Sequence, residues 1–152
     1  MKVSELMCPK VITVGSKTPL RAILPLMLRY HLNDILIVDG EQRLAGIVTY
    51  SDLSRRLLPT EIDLVEHEEY LTIPQSMEDR VTDIMDLPID EIMTTNVTTV
   101  SPDLEALKAG AIMDARRVKQ LPVVQDHKVI GIISHTDIGW GLMMRYPECL
   151  KG

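Results

Sequence analysis

Two short phrases hold the residues best suited to chemistry. Thr49-Tyr50-Ser51-Asp52 and Ser134-His135-Thr136-Asp137 each place a hydroxyl three residues before a carboxylate, just after an apolar run containing Gly46 or Gly131. A hydroxyl and a carboxylate at that spacing can hold the first amides of a helix, a capping-box-like pattern that contributes about 1 kcal/mol. Capping accounts less readily for the upstream glycines. In a strand, glycine marks close approach of a second backbone or of a ligand.

The two phrases belong to a longer repeat. An offset of 86 aligns Met7 with Met93, Val14 with Val100, Met27 with Met113 and Val38 with Val124; after a one-residue deletion in a turn, an offset of 85 aligns Gly46 with Gly131 and Asp52 with Asp137. Repetition of this extent sets the fold reading before any local argument. Each copy reads β-α-β-β-α. A first strand covers 11–14 or 97–100, followed by turn residues. The helix that follows has apolar positions Leu20, Ile23, Leu24 and Met27 in one copy and Leu104, Leu107, Ala111 and Met113 in the other. Two strands follow at 35–38 and 44–48, joined by a turn at Asp39-Gly40, with partners at 121–124 and 129–133; a last helix begins near Asp52 or Asp137. Pro25 falls inside the first helix, where it is expected to kink it, and Gly110 weakens the second by about 1 kcal/mol relative to Ala.

The fold class expected is α/β in the α+β sense, two repeats with pseudo-twofold symmetry whose sheets pack on each other, because one unit is too small to bury both faces of its sheet. Domain boundaries are expected at 1–58 for the first repeat, 59–88 for an acidic helical linker and 89–148 for the second repeat. The linker region is distinctive: residues 60–91 hold eleven acids against one base, Arg80. Within it Ser76 is expected to cap a helix carrying Met77, Val81, Ile84 and Met85, stopped by Pro88. Such an insertion suits a lid, a partner surface or a plain acidic spacer.

Composition limits the function classes. The chain has 152 residues, 45% apolar and 25% charged, with no Phe and nine Met, values of a globular protein with an aliphatic core. A net charge of −6 argues against nucleic acid as a partner. Cys8 and Cys149 form no CxxC or His/Cys cluster, so neither a zinc site nor a disulfide framework is indicated. The start, MKVSELMCPK, lacks the apolar run of a signal peptide, and no segment approaches the roughly 20 apolar residues of a membrane span, so a soluble cytoplasmic chain is expected. No activated-nucleophile motif, P-loop or HExxH is present, and Gly139-Trp140-Gly141 lacks the third glycine and the setting of a dinucleotide fingerprint. The chain is therefore not expected to be an enzyme, and Trp140 is expected in the core or in a dimer contact.

The Leu-Pro-Val-Val run at 121–124 and the Gly-x-x-(Ser/Thr)-x-x-Asp phrases at 46–52 and 131–137 resemble a tandem pair of CBS domains, the regulatory module named after cystathionine β-synthase, and the resemblance covers nearly the whole chain. It implies two clefts between the repeats that bind adenosine-containing ligands such as AMP, ADP, ATP or S-adenosylmethionine, with no other cofactor required. It implies a ribose role for Asp52 and Asp137 and a sugar or phosphate role for Thr49 and Ser134. A carboxylate can accept from both ribose hydroxyls, each charged-group bond contributing about 1.5–3 kcal/mol. Basic residues closing the first helix of each copy then serve phosphate: Arg29 and His31, and Arg116, Arg117 and Lys119. Solvated cations are also favoured at a helix end without any ligand. An adenine slot is expected from the strands, at Val11, Thr13, Ile35, Val97, Thr99, Leu121 and Pro122. Leu36 stands in the first copy where the second has Pro122, so the clefts need not be equal. The resemblance also favours a homodimer and an unidentified protein target. The rival class is a ligand-free interaction scaffold whose acidic segment docks a basic partner.

Overall fold

The computed structural model describes residues 1–146. Cys149 and the last residues assigned to the second repeat lie outside them. The described residues divide into two compact units, one built from residues 13–40 and 45–96, the other from 1–12, 41–44 and 97–146.

In the 13–96 unit, β1 (Thr13–Gly15) leads to α2 (Leu20–Tyr30), β2 (Asp34–Val38), β3 (Leu44–Thr49) and α3 (Tyr50–Leu57). The sheet order is β1-β2-β3, with β1 parallel to β2 in the register Val14 to Ile37. Helix α2 runs continuously through Pro25 and buries Leu20, Ile23 and Met27, the spacing of one helical face. All of Ile35 to Val38 is buried, as expected of a central strand covered on both faces.

In the other unit, α1 (Val3–Leu6) precedes α7 (Ala106–Arg116), β4 (Gln120–Gln125), β5 (Lys128–Ser134) and α8 (His135–Arg145). Strands β4 and β5 are antiparallel through a turn at Asp126-His127, both at positive φ. The strand expected at 97–100 reduces to one parallel bridge, Val100 with Val123, made by the Val100 amide to the Pro122 carbonyl (3.0 Å) and the Val124 amide to the Val100 carbonyl (2.9 Å). The next rung upstream needs an N–H at Pro122, which has none.

The expected face of Leu104, Leu107, Ala111 and Met113 holds at Met113 and fails at Leu107 and Ala111, which are exposed. Ala106, Ala109 and Met113 are buried and Leu107 is exposed. Small side chains on the inner face let α7 pack closely, and a Cβ at Gly110 would meet Ile138 Cδ1 at 3.6 Å, an ordinary contact. Gly110→Ala is therefore expected to stabilise the fold by up to about 1 kcal/mol, by removing unfolded-state freedom without a clash. A rise in the thermal midpoint checks it, and a fall would show that α7 has no space there.

The upstream glycines answer to backbone crossings. At Gly46 the segment Met93-Thr94 lies across β3, the Ile47 amide donating to the Thr94 carbonyl (3.0 Å) and the Thr94 amide to the Ile47 carbonyl (2.9 Å). At Gly131 the segment Met7-Cys8 does the same, the Ile132 amide donating to Cys8 (3.0 Å) and the Cys8 amide to Ile132 (2.9 Å). The repeats thus exchange their leading segments: Met7-Cys8 bonds to the second copy and Met93-Thr94, its counterpart, to the first. Gly141 has a related role, since a Cβ there would run into Leu6 of α1.

The insertion is folded. It comprises α4 (Glu61–Glu66), α5 (Glu69–Thr72) and α6 (Pro74–Met85), and a 3-10 turn at Ile89–Glu91 opens the second repeat. Helix α6 starts at Pro74, so Ser76 lies inside it and does not cap it; proline at the first position has the right φ and no amide to satisfy. Arg80 holds the helices together. Its guanidinium donates to the carbonyls of Arg56 (3.1 Å) and Leu57 (3.4 Å) at the end of α3, lies 3.7 Å from the Asp63 carboxylate and packs over the Tyr70 ring at 5.4 Å.

Candidate functional site

Each predicted ribose carboxylate sits in the first turn of a helix that begins directly after a strand. The strand brings Thr49 out in an extended conformation, and α3 begins at the next residue. The Asp52 amide donates to Thr49 Oγ1 (3.2 Å), while the Thr49 amide (2.9 Å) and hydroxyl (2.7 Å) both donate to Asp52 Oδ2. Ser134 and Asp137 repeat this at α8, with distances of 3.2, 2.8 and 2.7 Å. Both carboxylates are partly buried.

The other oxygens differ. Asp52 Oδ1 accepts from Arg55 at 3.0 Å. Asp137 has Trp140 at the position equivalent to Arg55, and an indole ring three residues on cannot neutralise the carboxylate; Oδ1 of Asp137 has no hydrogen-bond partner among the described residues. Sequence reasoning did not register Arg55, although an acid and a base at i,i+3 is a recognisable helix pair. Trp140 is 58% exposed, so of the two places expected for it, the core or a dimer contact, the core is ruled out.

The insertion supplies a comparison within the chain. Thr60 and Asp63 form the same hydroxyl and carboxylate cap at α4, with the Asp63 amide 3.1 Å from Thr60 Oγ1 and the Thr60 amide 2.8 Å from Asp63 Oδ2. The Thr60 amide and hydroxyl hold the Asp63 carboxyl below its ordinary value of 3.8. That cap is complete above the ordinary carboxylate range and is lost as pH falls through the lowered value. Helix α4 follows no strand, so the phrase alone builds a cap; what distinguishes Asp52 and Asp137 is the strand, the glycine and the loop beside them.

That loop is the basic one. The Tyr50 amide donates to the Asn33 carbonyl at 2.7 Å and the His135 amide to the Lys119 carbonyl at 3.3 Å, so the segment closing α2 or α7 is tied to the start of α3 or α8. His31 and Arg117 are the C-caps, both in left-handed conformation with φ of 52° and 54°. Arg29, Arg116 and Lys119 are exposed, Arg29 stacking over Tyr30 at 5.7 Å. His135 Nε2 lies 3.0 Å from Asp114 Oδ1, a pairing the sequence reading did not include.

The adenine-slot residues divide by burial. Ile35, Leu121 and Pro122 are buried, Leu121 in the core cluster with Val3, Val100, Met113 and Ile133. Val11, Thr13 and Val97 are half-buried and Thr99 is exposed. A cavity of about 610 Å³ lies elsewhere, against the insertion, lined by Arg56, Tyr70, Ser76, Asp79, Arg80, Asp83 and Ile84.

The duplicated strand, crossing and cap match a known family. The CBS domain model matches residues 3–59 and 89–138, and the chain belongs to that family as a tandem pair. Over 152 residues it is 28% identical to inosine-5'-monophosphate dehydrogenase of Methanocaldococcus jannaschii, covering 99% of this chain but only 25% of that enzyme. The fold is that of solved CBS pairs. The pair from protein MJ0100, solved with 5'-methylthioadenosine and S-adenosyl-L-methionine, superimposes with a TM-score of 0.71 at 23% identity, covering 95% of this chain and 98% of that one. CBSX2 in complex with AMP gives 0.72 at 18% identity over the same shares. Among the described residues, no helix is long and apolar enough to cross a membrane.

Proposed function

We propose that the chain is a regulatory module that binds an adenosine-containing ligand, AMP, ADP, ATP or S-adenosylmethionine, and carries out no catalysis. One observation carries the reading: Asp137 keeps one carboxylate oxygen for its helix cap and leaves the other uncommitted, partly buried at a helix start and beside the loop of Arg117 and Lys119. A carboxylate so held is preorganised to accept from ribose hydroxyls, and the α8 amides with the loop cations favour phosphate. Asp52 with Thr49 is the weaker second site, since Arg55 already occupies its free oxygen. The solved pairs with AMP and with S-adenosyl-L-methionine support this ligand class. The regulatory effect requires a ligand with different affinity for two states of the protein, which an unidentified cytoplasmic target would read.

A ligand-free scaffold is the second reading, favoured by the exposed Trp140, Met144 and Tyr146 around the end of α8, which suit a homodimer contact. Thermal-shift measurements with adenosine, AMP, ATP and S-adenosylmethionine separate the two. The sensor reading expects a concentration-dependent rise in melting temperature for at least one of them, as mass action requires of a native-state ligand. No rise with any of them, while the protein still sediments as a dimer, favours the scaffold.

A further inference from the structure

We infer that the folded insertion, residues 58–85, is a docking surface for a basic amphipathic helix of a partner protein. Helices α4, α5 and α6 converge on Arg80, and this organisation turns apolar side chains outward. Ile62 is 69% exposed, Val65 75% and Leu71 73%, with Leu58 and Ile73 also exposed. Ile62 and Val65 are spaced i,i+3 on α4 and so share one face of that helix, while Leu58 is exposed on the extended link between α3 and α4. An apolar face left in water on a folded element marks a contact surface.

Charge selects the occupant. Arg80, the single base of 60–91, is already held by Asp63 and two carbonyls, whereas Glu61, Glu66, Glu78 and Asp83 are exposed and have no cationic partner among the described residues. A helix with leucine-like residues on one face and lysine or arginine beside them meets both features: its apolar face covers Ile62 and Val65 and its cations meet the exposed carboxylates of the same folded insertion. An anionic membrane surface would be repelled by the same carboxylates. A second copy of this acidic segment would face like charge.

A fluorescein-labelled five-turn peptide of leucine and lysine at helical spacing, and a peptide of identical composition with that spacing scrambled, serve as probes by fluorescence anisotropy on the full chain. The helical peptide is expected to bind about tenfold more tightly than the scrambled one. Its affinity should fall between about 0.05 and 0.5 M salt as screening shortens. Ile62→Ser with Val65→Ser is expected to remove that preference, and Glu61→Gln, Glu66→Gln, Glu78→Gln and Asp83→Asn together to remove the salt dependence, with circular dichroism and melting temperature unchanged. Equal binding of both peptides, binding indifferent to these substitutions, or a dimer that dissociates on Ile62→Ser with Val65→Ser would each overturn the proposal. So would loss of fold in the apolar pair, unless Leu71→Ser folds and loses the preference.

Discussion

Gly46→Ala and Gly131→Ala are each expected to destabilise the fold by about 1–3 kcal/mol, the range for forcing an extra carbon into a packed site. In a chain of this length that is a fall of roughly 3–10 °C in melting temperature, measurable by calorimetry. A Cβ on Gly46 would lie 2.7 Å from Met93 Sδ and 2.9 Å from the Thr94 carbonyl oxygen; on Gly131 it would lie 2.8 Å from Met7 Sδ and 3.1 Å from the Cys8 carbonyl oxygen. The two substitutions therefore respond differently to relief. Met7→Ala removes the worst contact at Gly131, so Gly131→Ala with Met7→Ala should melt close to Met7→Ala alone. Met93→Ala leaves the Thr94 carbonyl in place, held by the Ile47 amide, so Gly46→Ala with Met93→Ala should remain well below Met93→Ala alone. An unchanged midpoint for Gly46→Ala would mean that the exchanged segment does not cross there.

Asp137→Ala is expected to weaken binding of an adenosyl ligand by roughly tenfold to a hundredfold, the loss of one or two charged-group hydrogen bonds. It also removes the α8 cap, at about 1 kcal/mol of stability. Asp52→Ala removes an equivalent cap from α3 but only a carboxylate already shared with Arg55, so its effect on the tighter binding event should be small. Arg55 is 76% exposed at its side chain, so its pairing contributes little stability. Arg55→Ala is expected to keep the melting temperature and strengthen the second, weaker event. Calorimetric titration of the three variants checks the ranking. If Asp52→Ala and Asp137→Ala weaken binding equally, the contrast between Arg55 and Trp140 does not govern the sites.

Much of this was legible because the repeat made each local pattern appear twice. The strands at 35–38 and 121–124 followed from apolar periodicity, and cap chemistry placed the helices near Asp52 and Asp137, two residues after their actual starts at Tyr50 and His135; both signals are local. Gly46 and Gly131 announced a close approach, but not what approached. Met93 and Met7 come from distant parts of the sequence, and no local signal shows that the copies exchange them. The α7 face was misread because Leu107 looks like a core residue, while the packing selected the small face of Ala106, Ala109 and Gly110. At the site, the hydroxyl and carboxylate pairs were readable but ambiguous, since Thr60 and Asp63 make the same cap without the strand. The inequality of Asp52 and Asp137 depends on the residue one turn later, which becomes informative only once the carboxylate geometry is known.

The ribose assignment meets its most direct test in a calorimetric comparison of AMP with 2',3'-dideoxy-AMP, which keeps the base and phosphate and lacks both hydroxyls. The account predicts that the wild-type chain binds AMP at least about tenfold more tightly, and that Asp137→Ala abolishes that difference. Equal affinity of the wild-type chain for the two compounds would contradict it, leaving Asp137 as a helix cap and nothing more.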